Sequence, residues 1–529
     1  EQINHNHNMT PHNYVKTKLP AQMSFLLNAV PKFLLVVNFF IALLYSFILI
    51  FWFQISNPYL FTLLIVGQAF SLWMSLTFIY TIWDMDYKPY GDDSFTEPVD
   101  VYITVAGEPV EIVEETLQAA LAMDYPAFNV YLLNDGFVAK KDNWKDIEDL
   151  AVKYGAGCIT RKIPGGAKAG NINNAMALTT NPFIAIFDAD HVPHKDFLRK
   201  MMRHFADPKM AFVQSPQFYK NYKTNYVTRG AWDQQSLFFG AIKKGKNRLN
   251  AVTMCGTNMV IRREPLAAVG GMCTTNIAED FVTGLFIHQR GWKSAYVPEV
   301  LAEGLAPEDF LSYYKQQLRW ARGSLEVLFK YNPLFMRGLT WPQKIQYLAS
   351  ASYYLSGVIV LMNAIIPMIF FYTGAVPFLI STMALAIVFI PYIFLIIYSL
   401  QLSTNFTYTF RALAFSMGSW VIHIAALKEV ILQRKTEFAI TSKTAQKGNF
   451  AYLVYPHLVY IALAVIGITI SLVREGFTAS LSTNTAWILL NIAIFYPFIR
   501  AAFPHEAEQD ETEEVITPTP YAIRTTTAR

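Results

Sequence analysis

FIAIFDAD, residues 183–190, is an apolar segment that ends in two aspartates. An uninterrupted apolar run of this length predicts a buried β-strand, here Phe183–Phe187. Asp188 and Asp190 then lie at the carboxyl end of the strand, where two carboxylates one residue apart can share a hard divalent cation. Such a cation would neutralise the charge on a departing diphosphate. Asp-x-Asp is also common in solvated turns, so the interpretation depends on the rest of the chain.

Short apolar segments on both sides of this strand continue the same pattern. Further strands are predicted at Val101–Val105, Val130–Leu133 and Ala211–Gln214, and helices at Ile112–Met123, Asn171–Leu178 and His194–Phe205. Alternating strands and helices predict an α/β domain built on a mainly parallel sheet. Sheets of this kind bind ligands at the carboxyl ends of their strands, and the candidate site residues fall at those ends.

Long uncharged segments flank the α/β region. The chain is 53% hydrophobic and only 16% charged, which favours a membrane protein. Its net charge of +4 is too small to indicate nucleic-acid binding. Crossing a bilayer takes about 20 apolar residues. Six spans are predicted: Phe33–Ser56, Tyr59–Trp83, two within Tyr347–Leu400 that are separated near Gly374 and Pro377, Tyr452–Val473 and Gly476–Ile499.

The segment Arg411–Lys428 decides the orientation of these spans. Its uncharged stretch is short for a span, and counting it as one would place the basic residues that follow on the outer side. We therefore predict an interfacial helix here, with the α/β domain and both termini in the cytoplasm. Three cysteines without metal-ligand spacing agree with a reducing compartment. The predicted organisation is a cytoplasmic segment (1–32), two membrane helices (33–83), a cytoplasmic α/β domain with interfacial helices (84–344), two membrane helices (345–400), an interfacial helix with a loop (401–450), two membrane helices (451–503) and a disordered cytoplasmic tail (504–529).

Two further motifs suit a nucleotide. Asp135 ends the strand Val130–Leu133 and can accept a hydrogen bond from a base N–H, although a strand-ending turn explains it equally well. The small-residue loop 164–171 opens a helix. Its backbone N–H groups, together with Lys168, suit a pyrophosphate. A flexible loop with an incidental lysine is the alternative.

Two motifs nearer the third span suit a sugar acceptor. Glu279 and Asp280 open a helix, where acidic residues usually complement the helix dipole, but Asp280 can also act as a general base on a sugar hydroxyl. Gln316, Arg319 and Trp320 lie on an amphipathic segment. The tryptophan can stack on a sugar and the arginine can pair with phosphate, or the segment is an interfacial helix with a tryptophan anchor.

Each motif is weak alone, but their order and spacing resemble the processive family-two glycosyltransferases, and the cellulose synthase branch most closely. The signature of that family, Asp, Asp-x-Asp, Thr-Glu-Asp and Gln-x-x-Arg-Trp, is present here as Asp135, Asp188/Asp190, Glu279-Asp280 and Gln316/Arg319/Trp320. Ala167–Asn171, Gln214–Phe218 and Cys255–Thr257 match as well, and Phe438–Lys443 resembles the gating loop of glucan synthases. Asn134 replaces the first aspartate of the usual Asp-Asp-Gly, and Ala278 replaces the threonine before Glu-Asp.

The resemblance, which covers roughly residues 33–503, implies a fold and a reaction. The fold is a GT-A-type cytoplasmic glycosyltransferase domain inserted in a bundle of about six transmembrane helices with interfacial helices. The reaction is inverting transfer of glucose from UDP-glucose to a growing β-glucan, with 1,4 linkage favoured, which the protein translocates across the plasma membrane. The implied roles are catalytic for Asp280 and Glu279; nucleotide-sugar-binding for Glu108, Asp135, Lys168, Asp188, Gln316 and Arg319; acceptor-binding for Cys255, Gly256, Thr257 and Trp320; gating for Phe438, Ile440, Thr441 and Lys443; and binding of Mg²⁺ or Mn²⁺ for Asp188 and Asp190.

Other products and another class of protein stay open. A β-1,3-glucan, a mixed-linkage glucan or a mannan is compatible with the same motifs. A transport or sugar-binding protein with an inactive transferase domain would be expected to lack the motif carboxylates. All four aspartates of the motifs are present: Asp135, Asp188, Asp190 and Asp280. The expected partners are a UDP-sugar, the growing polysaccharide and the lipid bilayer, without nucleic acid, and the sequence is compatible with accessory export proteins or an oligomer.

Overall fold

The computed structural model describes residues 30–87, 90–434 and 448–504. An α/β domain is inserted between two sets of long apolar helices, as the sequence predicts. The predicted gating loop Phe438–Lys443 and the predicted disordered tail beyond residue 504 lie outside the described residues.

A seven-stranded sheet forms the centre of the α/β domain. Its strands are β1 (Val99–Val105), β2 (Phe128–Asn134), β3 (Gly157–Thr160), β4 (Phe183–Asp188), β5 (Met210–Gln214), β6 (Met259–Arg262) and β7 (Lys293–Tyr296). Their spatial order is β7-β5-β6-β4-β1-β2-β3, and every neighbouring pair is parallel except the two that β6 makes. The four predicted strands correspond to β1, β2, β4 and β5, so the mainly parallel sheet is confirmed.

Helices cover both faces of this sheet. The helix Val110–Leu121 packs Val113 and Leu117, four residues apart on one side of the helix, against the core below β1 and β2. The helix Trp144–Tyr154 covers the same face. With both faces covered, β1 and β4 are buried along almost their whole length and consist largely of apolar residues. The other helices of the domain are Ala167–Leu178, Phe197–Met202, Tyr226–Leu237, Lys243–Arg248, Arg263–Ala268, Glu279–Gln289 and Phe310–Glu326.

The second face of the sheet shares its core with the apolar helices that follow the α/β domain. Ile184 and Ile186 of β4 belong to the same buried cluster as Phe415 and Phe498, which lie on those helices. The α/β domain is therefore packed directly on the helix bundle. Two small sheets complete the fold: Ala302–Gly304 between Val192–Pro193 and Phe218–Tyr219, and Gln54–Ile55 with Phe378–Leu379.

Seven helices among the described residues are long and apolar enough to cross a membrane, one more than the six predicted. Large apolar side chains such as Phe47, Ile387 and Phe394 are exposed on them, as a surface that faces lipid requires. The seven helices are Lys32–Phe51, Pro58–Ile82, Trp341–Thr373, Met383–Ser403, Phe410–Ile431, Ala451–Glu475 and Ala479–Ala501.

The additional helix, Phe410–Ile431, contains the segment that we predicted to be interfacial. It extends beyond both Arg411 and Lys428, which is why it reaches the length of a span. Its two α-helical parts meet at Ser419. More than half of its most apolar stretch is buried inside the protein. Length and composition qualify it as a span, and the interfacial assignment stays a prediction.

The third long helix begins against the α/β domain. Within Trp341–Ser352, Tyr347 Oη lies 2.8 Å from His288 Nδ1, and Gln343 Nε2 donates to the carbonyl of Asn250 at 2.8 Å. A 3₁₀ turn then leads into the apolar part, Ser356–Thr373. Gly374 ends that helix in the left-handed conformation, at φ 76°, so the predicted break at this glycine is confirmed.

Candidate active site

A cleft of about 340 Å³ opens at the carboxyl ends of β1, β2 and β4. Thr257, which is fully buried, lies behind it, and the predicted gating residues Phe438, Ile440, Thr441 and Lys443 lie outside the described residues. All other predicted site residues line the cleft: Glu108, Asp135, Lys168, Asp188, Asp190, Cys255, Gly256, Glu279, Asp280, Gln316, Arg319 and Trp320. Motifs almost two hundred positions apart therefore meet in one place.

The Asp-x-Asp motif ends β4, and a histidine follows it. Asp190 is almost fully buried, and its Oδ2 accepts a hydrogen bond from the backbone N–H of Leu305 at 3.1 Å. The other oxygen, Oδ1, lies 3.5 Å from Nδ1 of His191. Ligand atoms of Asp188, Asp190 and His191 all lie within 4.8 Å of one another.

This group of side chains fits a divalent cation. Carboxylates and an imidazole are suitable ligands for Mn²⁺, and carboxylates are suitable for Mg²⁺. His191 is buried, and its Nε2 has no hydrogen-bond partner among the described residues. Burial opposes ionisation of Asp188, but Lys168 and His191 hold its pKa below the usual value. The residues that would hold the metal are therefore Asp188 and Asp190, as predicted, and His191, which the sequence analysis does not include.

Asp135 is bound by an arginine that no motif indicated. Its two carboxylate oxygens accept hydrogen bonds from Arg161, at 2.8 Å from Nε and 2.6 Å from Nη2. The same guanidinium donates to the carbonyls of Gly165 and Ala167, in the loop before the helix Ala167–Leu178. A bidentate arginine–carboxylate pair fixes geometry as well as charge. Arg161 therefore joins the predicted base-binding carboxylate to the predicted phosphate loop.

Asn134, which departs from the family pattern, has a local structural role. Its Nδ2 donates to the carbonyl of Trp144 at 2.7 Å, and its Oδ1 accepts the N–H of Gly136 at 2.9 Å. A carboxylate at this position can accept from Gly136 but cannot donate to Trp144. The exchange of aspartate for asparagine thus leaves Asp135 in place at the cleft.

Lys168 connects the Asp-x-Asp motif to an irregular segment that also lines the cleft. Its Nζ donates to Oδ1 of Asp188 and, at 2.8 Å, to the carbonyl of Gly256. Gly256 belongs to residues 251–258, an irregular segment before β6 that we call the Cys-Gly-Thr loop. The hydroxyl of Thr257 in this loop accepts the backbone N–H of Asp188 at 2.9 Å. The loop therefore touches both the metal-binding motif and the predicted phosphate-binding lysine.

Glu279 and Asp280 form the first turn of the helix Glu279–Gln289. Burial raises the pKa of Asp280, against the effects of a 2.7 Å hydrogen bond from the N–H of Phe281 and of the Lys168 charge. Burial and the adjacent Asp280 charge raise the pKa of Glu279 to about 7. A raised pKa suits a carboxylate that must take up a proton near neutral pH.

Gly256 separates Asp280 from Lys168. Its φ of +74° lies in the left-handed region that favours glycine. A Cβ atom at this position would lie 3.2 Å from Oδ2 of Asp280 and 3.5 Å from Nζ of Lys168. Glycine is therefore needed both for the backbone conformation and for the space beside Asp280.

We expect Gly256→Ala to lower glycosyl transfer by about tenfold or more, since displacement of reacting groups by about 1 Å has effects of that size. The cost in unfolding free energy should be only about 1–2 kcal/mol, for a non-glycine residue in the left-handed region. Gly155→Ala is the matched control, because Gly155 has a φ of +67° and no atom within 4 Å of its added Cβ. Equal losses of activity in both variants would show that only backbone strain matters.

The Gln-x-x-Arg-Trp motif faces the cleft from the helix Phe310–Glu326. Gln316, Arg319 and Trp320 are three and four residues apart, which places them on one side of the helix. Tyr219, which is almost fully buried, lines the same cleft. The helix packs against Trp420–Ile431, so this end of the cleft borders the apolar bundle.

Two family models match the chain. The model described as "Glycosyltransferase like family 2" matches residues 97–323, and the model described as "Cellulose synthase" matches residues 267–501. The cellulose synthase catalytic subunit (UDP-forming) of Pseudomonas fluorescens (strain SBW25) is 31% identical over 460 residues, which cover 82% of this chain and 61% of that protein. Cellulose synthase 2 of Novacetimonas hansenii is 30% identical over 460 residues, which cover 82% of this chain and 28% of that protein.

The fold is similar to that of a glycosyltransferase of known structure. The mannosyltransferase PcManGT from Pyrobaculum calidifontis, in complex with GDP-Man and Mn²⁺, superposes with a TM-score of 0.50 at 17% sequence identity. The superposition covers 71% of this chain and 100% of that structure. At this identity the likeness concerns the fold, which is of the GT-A type.

The fold and the cleft define an integral membrane protein that carries a GT-A-type glycosyltransferase domain. Residues 97–323 match glycosyltransferase family 2, and residues 267–501 match the cellulose synthase family. The resemblance and the fold class predicted from the sequence are thereby confirmed. The chain spans 61% of the length of the Pseudomonas protein and 28% of the Novacetimonas protein.

Proposed function

We propose that this protein is a processive, inverting glycosyltransferase that polymerises glucose from UDP-glucose into a β-glucan, with 1,4 linkage, and translocates it from the cytoplasm across the plasma membrane. The observation that carries the proposal is that Lys168, Asp188, Asp280 and Trp320 line one cleft that borders the helix bundle. A relative named as a UDP-forming cellulose synthase supports UDP-glucose as the donor.

The donor would lie between the end of β2 and the helix Phe310–Glu326. Asp135, fixed by Arg161, would receive the base, and Lys168 and Arg319 would face the diphosphate. Glu108, whose Oε2 accepts the N–H of Ala106 at 2.6 Å, and Gln316 would close the two ends of this subsite. Mg²⁺ or Mn²⁺ bound at Asp188, Asp190 and His191 would supply charge neutralisation for the leaving UDP.

Asp280 is the proposed general base. It takes the proton of the acceptor hydroxyl as that oxygen bonds to the anomeric carbon and the bond from this carbon to the UDP oxygen breaks. Because one displacement inverts the anomeric centre, one base suffices and no covalent sugar–enzyme intermediate forms. Glu279 is adjacent to Asp280, so the protonation state of Glu279 changes the charge beside the proposed base.

The acceptor would be held at the bundle end of the cleft. Trp320 offers an aromatic face on which a sugar ring can stack, and Cys255 and Gly256 line the same cleft, with the buried Thr257 next to them in sequence. The segment Phe438–Lys443 stays a predicted gating loop that would exclude water from the donor.

The test is synthesis by the purified full chain with a panel of UDP-glucose, UDP-N-acetylglucosamine and GDP-mannose, followed by digestion with linkage-specific glucanases. We expect polymer from UDP-glucose only, degraded by a β-1,4-specific enzyme. Degradation by a β-1,3-specific enzyme instead, or polymer from GDP-mannose, would replace the product by one of the alternatives. Binding of UDP without any polymer would favour a sugar-binding protein with an inactive domain.

A further inference from the structure

Three lysines on one short helix are buried. Lys243, Lys244 and Lys246, on the helix Lys243–Arg248, are at most 3% exposed. A buried ammonium is costly unless it is hydrogen-bonded or paired, so its contacts show what it stabilises. Lys246 donates to the hydroxyl of Ser350, on the helix Trp341–Ser352, at 2.7 Å. Lys243 donates instead to the Cys-Gly-Thr loop.

Lys243 binds the start of that loop with more than one of its donors. Its Nζ donates to the carbonyl oxygen of Thr253 and, at 2.7 Å, to the Thr253 hydroxyl. Cys255, two residues further along the same loop, lines the cleft. Lys243 itself is fully buried and lies outside the cleft lining.

The rest of the loop is held in the same way, by side chains that satisfy its carbonyls. Gln217 Nε2 donates to the carbonyl of Cys255, and Gln214 Nε2 to that of Thr257, both at 2.8 Å. Lys168 donates to the carbonyl of Gly256. Because a buried loop has no ladder of backbone hydrogen bonds, these donors set its conformation. Lys243 is the donor that fixes the end nearest the helix Lys243–Arg248.

The ammonium charge of Lys243 is opposed by burial, which lowers the pKa of this lysine, and is favoured by Cys255 and Asp280. The titratable groups that experience this charge are Asp280, Cys255, Lys246 and His288. His288 stays neutral, since burial lowers its pKa to about 3 and it is hydrogen-bonded to Tyr347. For Asp280 and Cys255, the Lys243 charge acts against burial and lowers the pKa.

We propose that Lys243 is a positioning residue that fixes the Cys-Gly-Thr loop, which lies beside Asp280, through its two hydrogen bonds to Thr253. This proposal depends on the proposed transferase function only for the measurement of polymer synthesis. The reactivity of the Cys255 thiol, which needs neither donor nor acceptor, reports a change in this loop independently.

The experiment compares Lys243→Met with Lys246→Met, which removes an equally buried ammonium from the same helix. In Lys243→Met we expect synthesis to fall by about tenfold or more and the acid side of the pH–activity profile to move up by about one pH unit. UDP affinity, measured by calorimetry, should stay within about twofold of the wild type. Lys246→Met should leave the pH profile in place.

Thiol alkylation is measured in a background in which Cys158 and Cys273 are replaced by serine. Lys243→Met should slow alkylation of Cys255 at fixed pH by about tenfold, the effect of one unit in the thiol pKa. Lys246→Met should slow it less, because the Lys246 charge lowers the pKa of this thiol by a smaller amount. Unchanged alkylation together with an unchanged pH profile would overturn the proposal. If the wild type makes no polymer, the proposed function fails but the alkylation rates still decide the role of Lys243.

Thr253→Val covers the case in which Lys243→Met does not fold. It removes one of the two acceptors and retains the ammonium charge. We expect synthesis to fall by about threefold to tenfold with the pH profile unchanged, because only the positioning contact is weakened. Wild-type synthesis in Thr253→Val would overturn the positioning role.

Discussion

We expect Asp280→Asn to abolish polymer synthesis while UDP binding, measured by calorimetry, stays within about twofold of the wild type. The amide preserves the shape of the side chain and can still accept the N–H of Phe281. It cannot take the proton of the acceptor hydroxyl, and removal of a general base costs about 10²- to 10⁴-fold in rate. A loss confined to the chemical step is the result that a base at this position requires.

Helix stability is the alternative cause to exclude. An acidic residue in the first turn of a helix also stabilises the helix through the dipole, typically by about 0.3–1 kcal/mol. Asp146→Asn is the matched control, because Asp146 is an exposed acidic residue in the first turn of Trp144–Tyr154. That variant should synthesise polymer at the wild-type rate. Synthesis by Asp280→Asn at the same rate would remove Asp280 from the mechanism.

The pH profile of the wild type provides a second measurement on the same residue. A base works only when ionised, so activity is lost as the pH falls through its pKa. Since burial raises the pKa of Asp280, the acid limb should lie above the range of an ordinary aspartate. Glu279, with its own pKa raised to about 7, titrates beside it, and Glu279→Gln should move the acid limb downward by removing a negative neighbour.

The sequence predicts the parts of this site that local patterns encode. Asp188 and Gln316 are each tied to an apolar strand or an amphipathic helix, so their position at a strand end or on a helix face follows from periodicity. The convergence of these motifs does not follow from any one of them. Their order along the chain predicts it, and the motifs line one common cleft.

What the sequence could not predict depends on tertiary packing. Arg161, at the end of β3, reaches Asp135 at the end of the neighbouring β2 and lies in no local pattern, although it is the residue that fixes the carboxylate. Lys243 belongs to a lysine-rich segment of the kind that usually faces solvent, yet it is fully buried. His191 is easier to anticipate from the sequence, because it directly follows Asp-x-Asp. Only its burial in the structure shows that it points inward. Strand β6 runs antiparallel between two parallel strands, which its short apolar run does not reveal.

The second large effect concerns the divalent cation. We expect EDTA to stop polymer synthesis, added Mg²⁺ or Mn²⁺ to restore it, and Asp190→Asn to lower it by about 10³-fold even with excess cation. The asparagine keeps an oxygen for the N–H of Leu305, so the local turn is retained. It removes one of the two carboxylate charges from the three-residue site, and a hard cation depends on that charge.

Binding measurements separate this effect from a general loss of structure. In the wild type the cation should tighten UDP binding, and in Asp190→Asn this dependence should disappear while UDP alone binds as before. Asp124→Asn removes a carboxylate that is 72% exposed and paired with Arg199 at the surface, and it should change neither quantity. Full synthesis after chelation would contradict the metal role of Asp188 and Asp190. In that case Lys168, which already contacts Asp188, and Arg319 would have to stabilise the leaving diphosphate without a metal.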